Sequence, residues 1–431
     1  MLALGFDFGT SGARAVVIDA SKTNLATVRT NYDLSDPRSW ADALFTLLQM
    51  LPAQLRCHIG AIAISGTSGT VLLTDSEGTP LTRPLLYHQS QGVDLHFVPQ
   101  SSPACAPSSS LAKLLFWQER LEPSLFKSAY FLHQADWLGW LLHGQLGVTD
   151  YHNALKLGFD VVPLAYPQWF PPLKCHLPQV LCPGAVVAPL LPAIAHKYHL
   201  PPDCVVCAGT TDSNASVLAS LGERSWQEGI GMTMLGSTLA VKVITAVPIF
   251  ASQYGIYSHR WDWQGRTWYV AGGASNTGGA VLAHFFSPEQ LAQLSSYIDP
   301  HTPSPYDYYP LLQAGERFPI ADPNYPPRLH PRPNDPVLFL HGLLEGIARI
   351  EKQGYALLAS LGSIYPNLVI TTGGGAKNNA WQLIRERVLG RPCIPAKETE
   401  AAYGSALLAQ FGHTFEPALG PKAAQQSPCQ K

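Results

Sequence analysis

Apolar positions along this chain follow two rhythms. Short apolar runs, punctuated by glycine and hydroxyl residues, alternate with stretches in which apolar residues recur every three to four positions; the first predicts buried strands and the second helices. At the start of the chain the runs predict strands at Leu2–Phe8, Arg14–Asp19 and about Leu25–Thr30. A helix then follows from about Pro37 to Leu55, with Asp36 as N-cap and Pro37 in its first turn. Ile59–Ser65 and Thr70–Thr74 read as further strands, the latter closing in the turn Asp75–Gly78. This β-β-β-α-β order predicts a mixed sheet covered by helices.

From Ser110 to Gly144 the spacing of Leu111, Leu114, Leu115, Trp137, Leu138 and Leu141 is helical. Pro163 to Pro202 is proline-rich and predicts little regular structure; a strand at Val205–Ala208 and a helix from Asp212 to Leu221 follow. Past Gly222 the strand–turn–strand theme recurs as Gly231 to Thr238 and Leu239 to Ile244, with Met234 where the first unit has Asp7. A second proline-rich segment, Pro300–Pro336, precedes a long helix at Val337–Leu361. The rest predicts a strand at Leu368–Thr372, a glycine turn, a helix at Asn379–Leu389, a short strand and a last helix over about 398–412. The boundary between two domains is expected near residue 220, giving 1–219 and 220–431.

Composition narrows the class. With 431 residues the chain has room for two cores, and 46% hydrophobic against 13% charged residues fits a compact globular protein. Net charge is −2 without a basic stripe, which disfavours nucleic acid and anionic membrane as partners. No apolar run approaches the roughly 18 residues a membrane span needs, and the first residues read as a strand instead of a targeting segment. A cytoplasmic protein is expected. The eight cysteines are widely spread, and Cys204 and Cys207 on a strand point to opposite faces, so reduced, mostly buried thiols are expected.

Four turns carry the candidate chemistry. Asp7-Phe-Gly9-Thr10-Ser11 ends a buried strand with a carboxylate, followed by glycine and hydroxyls that can meet a polyphosphate while the carboxylate faces its metal. An ordinary β-hairpin has the same local sequence. Gly209-Thr-Thr-Asp212 puts an acid at a helix start, where a plain N-cap is the alternative. Leu235-Gly236-Ser237-Thr238 and Gly373-Gly374-Gly375-Ala-Lys377-Asn378 supply two further glycine turns that let a ring or phosphate approach the backbone. No P-loop, nucleophile elbow or H-E-x-x-H helix occurs, and none of the 15 histidines pairs at metal spacing with acidic neighbours. His133 and His152 read as satisfied loop or helix residues.

Together with Thr149-Asp150-Tyr151-His-Asn153-Ala154, Gly315-Glu316-Arg317-Phe-Pro319-Ile-Ala-Asp322-Pro323 and Glu398-Thr-Glu-Ala-Ala-Tyr-Gly404-Ser-Ala, these turns make the chain resemble the FGGY carbohydrate kinases over nearly its full length. Within that family it looks most like the compact D-ribulose or D-xylulose kinases of cyanobacteria and plant plastids. The resemblance implies an α/β, actin-like (ribonuclease-H-like) fold of two domains with mixed five-stranded sheets flanked by helices. ATP–Mg²⁺ would sit in the interdomain cleft, the sugar deeper between the domains, and the last helix would pack back on the first domain.

Carried over residue by residue, Asp7 would orient the metal and approach the reacting hydroxyl, and Asp212 would be the catalytic base. Thr10, Ser11 and Arg14 would meet phosphates. Gly236, Ser237 and Gly279 would line the nucleotide, and Gly374, Asn378 and Trp381 would frame the adenosine.

Two departures bear on the acceptor. Glycerol kinases carry an Arg-Glu pair, and bacterial xylulokinases a Met-His pair, where this chain has Gly66-Thr67-Ser68-Gly69; glycerol is disfavoured and Ser68 becomes the sugar contact. Tyr87-His88-Gln89-Ser90-Gln91 replaces the family's Trp-x-Asp-x-Arg segment. The expected activity is ATP-dependent phosphorylation of a ketopentose at its 5-hydroxyl, D-ribulose ahead of D-xylulose. The rivals are an actin-like ATPase without a small acceptor and a sugar-binding regulator without catalysis. The chain is shorter than typical members, and a monomer or weak homodimer is expected.

Overall fold

The structure is a computed structural model that describes residues 1–414; residues 415–431, including Cys429, lie outside the described residues. In the first half the order is β1 Leu2–Gly9, β2 Gly12–Ile18, β3 Asn24–Thr30, α1 Pro37–Met50, α2 Ala53–Arg56, β4 Ile59–Gly66, β5 Val71–Thr74, α3 Ser110–Arg120, α4 Pro123–Ser128, β6 Tyr130–His133, α5 Gln134–His143, β7 Val148–Asp150 and α6 Tyr151–Ala154. It continues with β8 Gln179–Leu181, β9 Val186–Pro189, α7 Pro192–Tyr198, β10 Val205–Cys207, β11 Thr210–Thr211 and α8 Asp212–Leu221. The second half has β12 Ile230–Leu235, β13 Leu239–Thr245, β14 Tyr257–Trp263, β15 Arg266–Ala274, α9 Gly279–Phe285, α10 Pro288–Ser295, α11 Pro336–Ser360, β16 Leu368–Thr372, α12 Asn379–Leu389, β17 Cys393–Pro395 and α13 Ala401–Thr414.

Each half is built on one large mixed sheet. The first runs β3-β2-β1-β4-β10-β9, with β11 also pairing β4, and the second runs β14-β15-β13-β12-β16-β17. The sheets therefore hold seven and six strands instead of the expected five. One of the additions comes from a segment where proline hides the strand pattern, while the short strand expected after Leu389 is β17. β9 lies in the proline-rich stretch and ends at Pro189, and β17 ends at Pro395. Both are edge strands, where a missing N–H costs no ladder bond. β14 and β15 form a hairpin through Gln264-Gly265, both at positive φ, a turn whose twist matches the flanking strands.

The predicted helical stretch from Ser110 to Gly144 is broken. Glu122 caps α4 ahead of Pro123, which cannot continue α3, and Tyr130–His133 extends to pair with β5. The helix expected to reach Leu55 stops at Met50, ahead of Pro52.

Three apolar layers hold the molecule. One face of the first sheet packs on α1, α5 and α7 through Phe6, Phe8, Trp40, Leu44 and Trp137. One face of the second packs on α11 and α12 through Val241, Val243, Leu343, Ile347 and Ile384. Between the sheets lie α8 and α13, joined by Val16, Ala61, Leu218, Met232, Trp261 and Ala406. Cys204, just before β10, belongs to the outer cluster, and Cys207, its last residue, to the central one. The last helix, α13, packs back on the first sheet, and so closely that a Cβ on Gly5 of β1 would come within 2.1 Å of Ala402 O. No helix among the described residues is long and apolar enough to cross a membrane.

Beneath the second sheet, Arg385 makes two charge-assisted bonds to Glu351, at 2.6 and 2.7 Å, and a third to Thr371 Oγ1. Thr233 also donates to Glu351. Both charged side chains are essentially inaccessible to water (1% and 0%), so removing one strands the other. Arg385→Met is expected to lower unfolding free energy by about 3–5 kcal/mol, measured by urea melts. Adding Glu351→Gln to it should recover a substantial part; full additivity of the two losses would contradict the coupling.

Candidate active site

The site grows out of strand register. Asp7 lies opposite Arg14 on β2 and Ser65 on β4, and Ser65 in turn lies opposite Thr210 on β11, one residue before the helix cap Thr211. Parallel pairing of β1, β4 and β11 thus delivers Asp7 and the start of α8 to the same edge of the sheet. Asp7 is buried; its Oδ1 accepts from Ser65 Oγ at 2.9 Å, and its Oδ2 is 3.8 Å from the Arg14 guanidinium. Burial, and next the charge of Asp212, push the Asp7 carboxyl up to about 7, against the lowering effect of Ser65 and Arg14. Arg14 is drawn toward Glu400 at 3.1 Å and donates to Ser11 Oγ at 3.3 Å. Thr10 and Ser11 form the exposed hairpin tip. Gly9 leaves the space beside the carboxylate open, since a Cβ there would sit 3.4 Å from Asp7 Oδ2.

Asp212 occupies the first turn of α8, where the helix dipole favours an anion, and its Oδ1 accepts the Ser213 N–H at 2.7 Å. Burial raises its carboxyl, opposed by that N–H and then by Lys156 and Lys242. Lys242 comes from β13 of the second half and donates to Ser213 O at 3.4 Å. Lys156 follows α6 and donates to Ser68 O at 3.2 Å, while Lys113 donates to Gly69 O at 2.6 Å. The Gly66–Gly69 loop is therefore pinned by two lysines and by Gln134, which accepts the Thr67 N–H. Ser68 itself is half-buried.

His152 bridges the halves, joining Thr210 Oγ1 at 2.7 Å to the Arg260 carbonyl at 2.6 Å. His133 pairs with Asp136. Both histidines are satisfied.

A cavity of ≈ 810 Å³ lies in the second half. Gly236, Ser237, Gly279, Gly374, Asn378 and Trp381 all line it, so the three sequence-distant turns meet there. The Gly279 N–H donates to Gly236 O at 2.8 Å, which locks the start of α9 onto the β12–β13 turn. A volume of this size suits a nucleotide-sized ligand. Gly373 is at φ +82, and a Cβ there would fall 2.5 Å from Leu235 O, whereas Gly374 faces open space. Asn378 commits its side chain to structure, capping α12 through the Trp381 N–H and donating to Ser295 Oγ. Trp381 is only 2% exposed and donates to Leu344 O, so it contributes a wall of the cavity instead of a free stacking ring.

Ser11 and Arg14 line a separate recess of ≈ 350 Å³, and Met234, the counterpart of Asp7 in the second hairpin, is exposed.

Several site residues escape a reading of the sequence. Lys242 has a signal, a lone charge inside the apolar run Leu239–Ile244, and Lys156 stands two residues past the Asp150–Ala154 segment. The α10 wall of the cavity is announced by Ser287-Pro-Glu-Gln290, whose capping box is formed. Glu316 is not at the site: it is buried and accepts from Ser275, Tyr309 and the Asn276 N–H, tying its loop to the end of β15.

Residues 2–219 match the N-terminal domain, and residues 231–413 the C-terminal domain, of the FGGY family of carbohydrate kinases. The xylulose kinase of Bacillus subtilis (strain 168) is 24% identical over 98% of this chain and 90% of its own, and that of Streptomyces rubiginosus 25% identical over 97% and 92%. The crystal structure of xylulose kinase from Rhodospirillum rubrum superposes with a TM-score of 0.81 at 22% identity, covering 97% of this chain and 91% of that one. Plasmodium falciparum glycerol kinase with ADP gives 0.81 at 15% identity, covering 96% and 90%. The sheets, the central helix pair and both family halves agree: this chain belongs to the FGGY family of carbohydrate kinases, enzymes that use ATP with Mg²⁺ to phosphorylate sugars.

Proposed function

We propose that the chain transfers the γ-phosphoryl group of ATP to the 5-hydroxyl of a ketopentose, D-ribulose ahead of D-xylulose, with Asp212 as the base. The observation that carries this reading is the shared sheet edge at which Asp7, the pinned Ser68 loop and Asp212 meet. Phosphoryl transfer needs alignment and neutralisation of oxygen charge more than covalent chemistry from the protein. Asp212 would accept the acceptor hydroxyl's proton as the bond to phosphorus forms, and Ser68 would hold the sugar beside it. Thr10, Ser11 and Arg14 would meet the phosphates.

Asp7 fits a magnesium site: it is a buried carboxylate whose cationic neighbour, Arg14, stands 3.8 Å away, and its elevated carboxyl marks that deficit of positive charge. Mg²⁺ commonly takes one or two carboxylates with substrate phosphates completing its shell, and when bound it neutralises phosphate charge. Among the described residues no three His, Cys, Asp or Glu side chains gather as a metal cage, which suits such a sparse protein contribution.

The preference for D-ribulose rests on the Gly66–Gly69 loop, which offers a small hydroxyl and no Met-His pair. D-Xylulose is the second reading, favoured by the similarity to xylulose kinases. The seven described cysteines are all unpaired, which supports the cytoplasmic setting.

A coupled assay of ADP release across ketopentoses, ketohexoses, polyols and glycerol tests the proposal. The highest kcat/KM should fall on D-ribulose and glycerol should be poor. A higher value on D-xylulose reverses the order; ADP release indifferent to every sugar points to the ATPase rival, and none at all to the regulator.

A further inference from the structure

The central part of β13 carries one charged residue, Lys242, in the run Leu239-Ala-Val-Lys-Val-Ile. Its partners across the sheet are Met232 and Gly272, and Gly272 is in turn opposite Tyr257. The glycine makes room for the lysine stem: a Cβ at 272 would lie 2.8 Å from Lys242 Cγ. The ammonium crosses to the first half and stops 3.4 Å from Ser213 O, the carbonyl of the residue whose N–H holds Asp212. Among the described residues no carboxylate lies within ion-pair distance of Lys242, so the charge of Asp212 is its principal electrostatic partner.

We infer that Lys242 is a positioning residue that reaches across the domain junction to keep Asp212 ionised and aimed, so that the base is ready only when the second domain sits against α8. This rests on the reading of Asp212 as base. Of the other groups facing the pair, Lys156 is the one that adds positive charge at Asp212. His259 on β14 and His152 on α6 are held neutral by burial, and Tyr257 on β14 and Tyr32 stay protonated. Asp7 on β1 is itself pushed up by the charge of Asp212. Lys156 lowers the Asp212 carboxyl ahead of Lys242, but it belongs to the same half as Asp212 and holds Ser68 O, so it is Lys242 that makes part of the stabilising charge depend on the junction. Burial draws Lys242 itself down to about 8.

The test compares wild type with Lys242→Met, which keeps the stem in its groove, and with Lys242→Arg, which keeps the charge. Removing the cation raises the carboxyl of Asp212. The acid limb of kcat/KM should therefore move up by about one pH unit in Lys242→Met, a loss of about tenfold on that limb. Above pH 8 the two profiles should converge, because the wild-type lysine is then losing its proton. Lys242→Arg should track wild type. An unmoved acid limb, or an arginine variant as impaired as the methionine one at every pH, overturns the inference. A carbon-13 NMR titration of the Asp212 carboxylate in the free protein reads the pair without turnover. Its midpoint should rise in Lys242→Met and an unchanged midpoint refutes the coupling, whereas a wild type without sugar-dependent ADP release refutes the kinase assignment instead.

Discussion

Asp212→Asn is expected to lower sugar-dependent turnover by about 10²–10⁴-fold while leaving ATP binding and the fold intact. The asparagine keeps the side-chain oxygen that accepts the Ser213 N–H, so the start of α8 stays organised. What it loses is the ability to take a proton from the acceptor hydroxyl. Burial disfavours the charged form of Asp212, so the neutral isostere should melt no lower than wild type. ATP affinity by calorimetry, and ADP release with and without sugar, separate the two effects. Near-wild-type sugar-dependent turnover in the variant would remove Asp212 from the role of base.

Asp7→Asn should reduce transfer by about 10²-fold or more, the scale of losing several kcal/mol of metal-assisted charge stabilisation, and should abolish most of the magnesium dependence. It has a second signature, in stability. The Asp7 carboxyl stands at about 7 in the fold against 3.8 ordinarily. Between those values the folded protein holds a proton that the unfolded chain has released. The carboxylate's contribution to stability therefore falls as pH rises through that window, and the full penalty is present above it. The neutral variant is free of it. Without ligands, Asp7→Asn should melt higher than wild type at pH 8 and alike near pH 4. Equal differences at both pH values would mean that burial does not set the ionisation of Asp7.

Much of the second-half cavity is legible in the sequence because its parts are local. Glycines at 236 and 374 announce turns whatever surrounds them, and those turns do line one hollow, beside the start of α9 at Gly279. The role of Trp381 is less readable, since a tryptophan beside a glycine turn looks the same whether it faces ligand or, as here, fills the core beneath it. Glu316 shows the same limit from the other side: a charged residue in a loop reads as exposed until three donors are found closing around it.

Strand and helix boundaries divide along similar lines. α8, β16 and α12 fall where periodicity and caps put them. Phe131 and Leu132 fit either period, so β6 reads as helix until its pairing with β5 decides the matter. β9 exists because an edge position tolerates proline, and edge positions are known only once the sheet is assembled.

By itself the sequence determined the alternation of strands and helices and the glycine and hydroxyl turns, because these follow from backbone freedom and side-chain chemistry over a few neighbouring residues. Tertiary structure alone decided that β1, β4 and β11 pair in the register that gathers Asp7, Ser65 and Thr210, and that Lys156 and Lys242 approach Asp212 from opposite halves. Those are contacts between residues scores of positions apart, and only the packing of two sheets on α8 and α13 brings their charges within reach of one another.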